Sequence, residues 1–290
     1  MIHLVTAFSA ETNPLIRHFQ LKQTQLKPFR IFENQSIRLI VSGIGKDNSK
    51  KAVSFLHELF CPHPNPLPQG EGEVWINIGI AGHRDLPVGT GILAHKVEDE
   101  ETQKSWYPQV LFEPSFPTGS FLTVEQPESH YLEGHVYDME ASGFYEAALQ
   151  YSILELVHCY KVISDNSKSS HEKITPEFAE KIIANRLNEI SFLVDELKKR
   201  VEQLRTLKIK PEELEPFLKR WHFTVTQTFQ LRRLLRQFKT LTPSQNLLSE
   251  LQTLPNSKKV VAALENKIRE IPVTFNRHCE AHHKRSRSNL

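Results

Sequence analysis

The first half of the chain alternates short apolar runs with turn residues and with stretches of helical spacing. The apolar runs are rich in β-branched residues and predict buried strands over residues 2–8, 37–42, 74–79, 91–97, 120–124 and 160–164. Apolar residues at helical spacing predict a helix over 48–60, and an alanine-rich stretch predicts another over 138–151. This order indicates an α/β fold, in which a mostly parallel central sheet is flanked by helices.

The second half is patterned as helices. Thr175 and Pro176 supply an N-cap and a proline at the first helical position. The apolar residues that follow repeat at alternating spacings of four and three: Ile183, Leu187, Ile190, Val194, Leu197, Val201 and Leu204. We expect one helix whose apolar seam packs into the core of its own chain, with a coiled-coil dimer seam as the alternative. The further helices predicted are over 224–239, from Thr242 with Gln245 in capping-box spacing, and over 257–271.

Glycine and charge divide the chain into parts. All eleven glycines lie in the first half. Residues 1–195 hold 16 Lys+Arg and 25 Asp+Glu, a net charge of −9, whereas residues 196–290 hold 20 and 9, a net charge of +11. We therefore predict an α/β domain over 1–195, an all-α basic appendage over 196–277 and a disordered tail over 278–290.

The composition excludes several classes of protein. The 290 residues are 39% apolar and 24% charged, which excludes disorder as the general state. No run approaches the roughly 20 apolar residues that span a bilayer, and the start of the chain lacks a leader pattern, so we expect a cytoplasmic protein without a membrane partner. The three cysteines are far apart and odd in number, which indicates reduced thiols. The segment CPHPNPLPQGEGE, residues 61–73, is predicted to be a proline-rich surface insertion.

Four groups of short strings could carry chemistry. They are AFSAE, which ends at Glu11; SGIGK at 42–46; NIGIAG at 77–82 with LPVGTG at 86–91; and YDMEASGFYEAA at 137–148 with ISD at 163–165. Each follows a predicted strand or opens a predicted helix. Ligands of open α/β sheets lie beyond the carboxyl ends of the strands, and Glu11, Glu140 and Asp165 are placed there. The pattern therefore outlines an acid-base site.

In order and character these strings resemble the nucleoside phosphorylase and nucleosidase superfamily, closest to the methylthioadenosine and adenosylhomocysteine nucleosidases, over residues 1–195. The resemblance implies cleavage of the N-glycosidic bond of a purine-type nucleoside without a cofactor. It implies that Asp165 is the general acid at the base, that Glu140 accepts hydrogen bonds from the ribose hydroxyls and that Met139 contacts the sugar. The remaining substrate-binding residues implied are Ser164, Gly82, Ala81 and Gly43. Relatives commonly assemble as oligomers, so the resemblance also implies a homo-oligomer.

Glu11 distinguishes two reactions within this superfamily. In the nucleosidase branch a carboxylate after the first strand orients and deprotonates water, whereas phosphorylases bind inorganic phosphate, their co-substrate, with basic groups. The segment AFSAET contains no arginine, and Lys46 is the nearest candidate cation. We therefore expect hydrolysis, with phosphorolysis as the alternative. The structural alternatives are that Glu11 merely occupies the first turn of a helix and that Asp165 caps a loop.

The sequence also departs from the superfamily pattern. Position 80 is Ile where many relatives place Ser or Thr, and only about sixty residues separate Gly79 from Glu140. The segment TVEQP at 123–127 does not closely match the stretch with which relatives contact the base. A third hypothesis is therefore a degenerate binding protein for nucleosides or nucleic acid.

Two other groups of residues are candidate sites. His278, Cys279, His282 and His283 have zinc-ligand spacing, but they lie in the polar tail, and we predict no metal site. The basic clusters of the appendage are Lys198, Lys199 and Arg200, and Arg232, Arg233 and Arg236. We expect the basic appendage to dock on the acidic domain by complementary charge, with nucleic-acid binding as the alternative.

Overall fold

The structure is a computed structural model that describes residues 1–60, 73–128, 131, 134–206, 211–242 and 247–270. The chain divides into two compact units, Met1–Thr206 and Leu207–Leu290. The division lies eleven residues beyond the expected boundary at 195, because one continuous helix runs through that position. The proline-rich segment other than Glu73, and the terminal tail with its candidate zinc ligands, lie outside the described residues.

The first unit combines strands and helices in the predicted α/β order. Its described residues form the strands β1 (Ile2–Thr6), β2 (Lys22–Gln25), β3 (Arg30–Glu33), β4 (Ile37–Val41), β5 (Val74–His83), β6 (Gly91–Asp99), β7 (Ser105–Trp106), β8 (Thr118–Thr123), β9 (His135–Asp138) and β10 (Val157–Asp165). The helices of this unit are α1 (Ser9–Phe19), α2 (Lys46–Phe60), α3 (Ala141–Ala148), α4 (Pro176–Ala184) and α5 (Leu187–Thr206). The six predicted strands and both predicted helices of the first half are confirmed, with shifted ends.

The strands form one mixed sheet whose centre is parallel. Strands β4, β1, β5 and β10 are parallel neighbours, and β3 and β2 extend the edge beside β4 in antiparallel fashion. On the other side β10 pairs antiparallel with β6, and β6, β8 and β9 are parallel neighbours. Strand β9 then returns to β5 through Gly82 and His83, so that β5, β10, β6, β8 and β9 form a closed circuit.

Strand β5 changes its neighbour partway along its length. Its residues 74–77 pair with β1, whereas Gly82 and His83, on the same side, pair with β9. No described strand pairs with residues 78–81 on that side, although β10 pairs with them on the other. The backbone N–H groups of this short stretch that point to the unpaired side are therefore available to side chains.

Helices cover both faces of the sheet. Alternate residues of β1 show this, because Leu4 belongs to the apolar cluster that includes α1, α4 and α5, while Val5 belongs to the cluster that includes α2 and α3. The expected α/β architecture with flanking helices is confirmed. Strands β2, β3, β7 and β9 were not predicted, since β2 is polar and largely exposed, β7 has only two residues, and β3 and β9 have only four each.

The apolar seam after Thr175 was assigned to one helix, and this prediction was wrong. Asn185 caps the C-terminus of α4, and a new helix begins at Leu187. Asparagine is a poor residue for a helix interior because its side chain competes for backbone hydrogen bonds. The seam itself packs in the core of the first unit, as expected, with its buried members being Ile183, Ile190, Val194, Leu197 and Val201.

The second unit is helical and has an apolar core of its own. Its helices are α6 (Pro211–Arg220), α7 (Val225–Leu241), α8 (Leu247–Leu251) and α9 (Ser257–Glu270). The buried indole of Trp221 donates its N–H to the carbonyl of Leu254, at 2.9 Å. Helices α7 and α9 confirm two predictions, whereas α6, which contains Pro216, was missed. Thr242 caps the C-terminus of α7. Pro243 and Gln245 lie outside the described residues, so a helix opened by Thr242 stays a prediction.

Among the described residues, no helix is long and apolar enough to cross a membrane.

Candidate active site

A cavity of about 210 Å³ opens at the carboxyl ends of the central strands, where an open α/β sheet binds its ligands. It brings together residues from four separate strings of the sequence. The predicted residues that line it are Glu11, Ala81, Gly82, Met139, Glu140, Ser164 and Asp165. Gly43 is not among the lining residues, so the structure does not place it with the others.

Glu11 is a buried carboxylate at the N-terminus of α1. Its Oε2 accepts the backbone N–H of Ala7 at 2.7 Å and of Phe8 at 3.3 Å, while its Oε1 accepts the N–H of Ile80 at 3.0 Å. The structural alternative is thus partly correct, because Glu11 does occupy the first turn of a helix. Glu11 also lines the cavity. The N-terminus of α1 therefore holds the carboxylate where a ligand can contact it.

The pKa of Glu11 is raised to about 7, chiefly by burial and also by the neighbouring Glu140, against the opposing effect of Lys161 and the backbone donors. A carboxyl group with this pKa changes its protonation state near neutral pH. It can therefore accept a proton from water and release it again, as a general base must.

Lys161 lies beneath the cavity and was missed by the sequence analysis. It is fully buried on β10, with its Nζ 3.0 Å from Oε2 of Glu140 and 3.1 Å from Oδ2 of Asp138. Burial alone would lower its pKa, but the carboxylates of Glu140 and Asp138 raise the pKa well above the usual value. A lysine inside a strand predicted to be buried is a signal that the sequence contains, since lysine is almost never fully buried unless it is paired.

The side chains of Glu11 and Lys161 both approach Gly79 closely. A Cβ atom at this position would lie 2.6 Å from Oε1 of Glu11 and 3.1 Å from Nζ of Lys161. Only a residue without a side chain leaves room for both groups. The first glycine of the NIGIAG string thus has a packing role directly below the site.

Glu140 lies between two backbone segments and the buried ammonium. Its Oε1 accepts the N–H of Gly45 at 3.1 Å, and its Oε2 accepts from Lys161. Asp138 supports the same turn, because its Oδ2 accepts the backbone N–H of Ala141 and its Oδ1 accepts the hydroxyl of Thr123. These contacts fix the carboxylate at the entry to α3 with one face toward the cavity.

Asp165 ends β10 on the opposite wall of the cavity. Its Oδ1 accepts the hydroxyl of Ser164 at 2.5 Å, and its Oδ2 accepts the hydroxyl of Tyr131 in a very short contact. The alternative that Asp165 caps a loop is not what the structure shows, because both oxygens accept side-chain hydroxyls. Tyr131, a further lining residue, was not among the predicted ones.

The two remaining candidates are Gly43, in the turn before α2, and Lys46, the first residue of α2. Gly43 has a left-handed backbone with φ of 87°, which glycine adopts without strain, and its N–H donates to the carbonyl of Ala7 at 3.0 Å. Lys46 forms ion pairs with Asp99 and Glu101, at 3.4 and 2.5 Å. The described residues that line the cavity include no lysine or arginine.

The first basic cluster is also engaged within the first unit. Lys198 and Lys199 pair with acidic residues three positions earlier on α5, at 3.2 and 2.6 Å, and Arg200 reaches Glu155 at 2.7 Å.

Within the described part of the chain, no group of three or more histidine, cysteine, aspartate or glutamate side chains is arranged to hold a metal ion.

Comparison with known proteins gives similarity of fold. The sequence matches none of the protein-family models and none of the curated proteins compared with it. Among solved structures, it is similar to the 5'-methylthioadenosine/S-adenosylhomocysteine nucleosidase of Helicobacter pylori, with a TM-score of 0.53 and 14% identity over 67% of this chain and 97% of that one. The 5'-methylthioadenosine nucleosidase of Arabidopsis thaliana gives 0.53 and 15% over 68% and 95%.

The nucleosidase of S. pneumoniae gives a TM-score of 0.50 and 18% identity, over 65% of this chain and 96% of that chain. Each similarity spans nearly the whole of the solved chain and about two thirds of this one. The predicted fold of the nucleoside phosphorylases and nucleosidases is therefore confirmed.

Proposed function

We propose that this protein is an N-glycosyl hydrolase that releases the base from a purine-type nucleoside. The observation that carries the proposal is the arrangement of three carboxylates, Glu11, Glu140 and Asp165, around one cavity at the carboxyl edge of the sheet. The similarity in fold to nucleosidases that act on methylthioadenosine supports the same reaction type.

The three carboxylates have separate roles in the proposed reaction. Asp165 lines the cavity and donates a proton or hydrogen bond to a nitrogen of the base, so that the base does not depart as an anion. Glu140 accepts hydrogen bonds from the ribose hydroxyls, and its charge favours the cationic sugar that develops as the base departs. Met139, which also lines the cavity, supplies apolar contact to the sugar.

Glu11 orients and deprotonates the attacking water. Its pKa near 7 suits this role, since a general base works best when its pKa lies close to the working pH. The cavity offers no lysine or arginine among its described lining residues, and these are the side chains that most often pair with a bound phosphate. Hydrolysis is therefore favoured over phosphorolysis, and no cofactor is part of the proposal.

The test is base release from a panel of purine nucleosides, each with and without inorganic phosphate. The proteins compared are wild type, Glu11→Gln, Asp165→Asn and, as a matched control, Asp85→Asn, whose carboxylate is largely exposed and outside the cavity. We expect phosphate-independent release that both site variants lose and the control keeps.

Two other results would contradict the proposal. Release that requires phosphate would identify a phosphorylase, and the absence of turnover with every nucleoside would favour a binding protein.

Assembly as a homo-oligomer stays a prediction, and light scattering of the full chain tests it. Cytoplasmic location and docking of the basic appendage also stay predictions.

A further inference from the structure

Tyr131 is a residue of the cavity that the proposed reaction does not use. Its ring packs against Tyr137 with the ring centroids 5.5 Å apart and the planes at 61°. Its hydroxyl donates to Oδ2 of Asp165, and the hydroxyl of Ser164 donates to Oδ1. Both oxygens of the proposed acid are thus hydrogen-bonded by the protein itself.

Gly82 shows how closely the ring and the carboxylate approach each other. A Cβ atom at this position would lie 2.7 Å from Oδ2 of Asp165 and 2.7 Å from Cε1 of Tyr131. The edge of the tyrosine ring therefore fills the space over Gly82, directly beside Oδ2. Ser164 approaches the other oxygen from within β10.

The remaining space is small for a nucleoside. The cavity of about 210 Å³ lies below the 300–1,000 Å³ that ligand sites typically provide. A planar base that bonds to Asp165 needs the position that the tyrosine hydroxyl and ring edge now hold. The ring of Tyr131 is only partly buried, so it can leave this position without opening the core.

We propose that Tyr131 occupies the position of the base beside Asp165 and that the base of the substrate must displace its hydroxyl from this carboxylate. This inference rests on the proposed function and adds a residue that controls access to the acid. The apparent affinity for a base is then reduced by the fraction of molecules in which Tyr131 is bound to Asp165. Tyr131 is a competitor of the substrate and not a group that acts on it.

The decisive variants are Tyr131→Phe, which keeps the ring and removes the hydroxyl, and Tyr131→Ala, which removes both. Tyr107→Phe is the matched control, because Tyr107 is exposed and does not line the cavity. Binding of adenine is measured by calorimetry, and KM is measured with a hydrolysed nucleoside. We expect Tyr131→Phe to bind adenine about tenfold more tightly and to lower KM similarly, because the hydrogen bond to Asp165 that competes with the base is lost.

A spectroscopic readout does not depend on turnover. Burial and the hydrogen bond to Asp165 raise the pKa of Tyr131. Displacement by adenine should lower the pH at which one tyrosine of the wild-type protein ionises, as seen by ultraviolet absorbance. Tyr131→Phe should lack this change, whereas Tyr107→Phe should retain it.

The outcomes separate this inference from the proposed function. Equal or weaker adenine binding by Tyr131→Phe, together with hydrolysis that Asp165→Asn abolishes, overturns the role of Tyr131 alone. Absence of both turnover and adenine binding in wild type, Tyr131→Phe and Tyr131→Ala overturns the proposed function and this inference together. Tighter binding in both variants of Tyr131, with the control unchanged, supports the inference.

Discussion

Nζ of Lys161 and Oε2 of Glu140 lie 3.0 Å apart beneath the cavity, and the two side chains are 1% and 7% exposed. Asp138 contacts the same ammonium at 3.1 Å, and Glu11 lies within its electrostatic reach. One buried cation therefore offsets a group of carboxylates that would otherwise repel one another.

Replacement of this cation should be costly at neutral pH. We expect Lys161→Met to destabilise the protein by about 3–5 kcal/mol, because the buried carboxylates lose their partner. Denaturant unfolding at pH 7 measures the change. Lys104→Met, which removes an exposed ion-pair partner of Glu146, should change stability by less than about 1 kcal/mol. Equal stability of the two variants would contradict the central place given to Lys161.

The raised pKa of Glu11 predicts the pH dependence of the reaction. Because the ionised form is the base, kcat/KM should rise with pH through about 7. Glu11→Gln should remove both the rate and this ionisation. A profile of kcat/KM from pH 5 to 9 provides the measurement, and a rate that stays flat across pH 7 would exclude Glu11 as the base.

The same pKa predicts an effect on stability with the opposite sense. The folded state of Glu11 binds its proton up to about pH 7, whereas the unfolded state releases it near 4.5, so this group makes the protein less stable as pH rises between these values. Glutamine is neutral at every pH, although its amide nitrogen cannot accept the backbone N–H that one oxygen of Glu11 accepts. The stability of Glu11→Gln relative to wild type should therefore rise by on the order of 3 kcal/mol between pH 4.5 and pH 8. Thermal unfolding at both pH values provides the test, and the same difference at both would contradict the assignment.

Gly79→Ala should damage the site more than the fold. The added methyl group would meet Oε1 of Glu11 at 2.6 Å, and three backbone donors hold that carboxylate in place. We expect turnover to fall by about tenfold or more, since small displacements of reacting groups are costly. Gly119→Ala is a suitable comparison, because the nearest neighbours of its methyl group would be the apolar side chains of Ile92 and Val136, at 3.1 and 3.3 Å. The comparison variant should keep its turnover, and similar losses in both would point to a general packing defect.

The sequence predicted the elements that have a strong period and missed those that depend on their neighbours. The buried strands and amphipathic helices carry their own pattern of apolar residues, so β1, β4, β5 and β10 could be identified. Strand β2 could not, because its four polar residues become a strand only through pairing with β3. The end of α4 at Asn185 could not be predicted, because the spacing of apolar residues continues across it.

The residues of the candidate site that lie in recognisable short strings of the sequence could be predicted. Glu11, Glu140 and Asp165 each follow a strand or open a helix, and the sheet topology brings them to one edge. Lys161 was overlooked because it lies within a strand, where apolar residues dominate the pattern. Tyr131 carries no local signal at all, since its contact with Asp165 joins positions 34 residues apart.

The change of neighbour along β5 explains how an isoleucine can stand at position 80. Between its pairing with β1 and its pairing with β9, the strand leaves the N–H of Ile80 free for Glu11. The donor that holds the proposed base is therefore part of the main chain, and every residue except proline can supply it. Variation of the side chain at this position says little about whether the site is intact, and proline is the substitution that would reveal its importance.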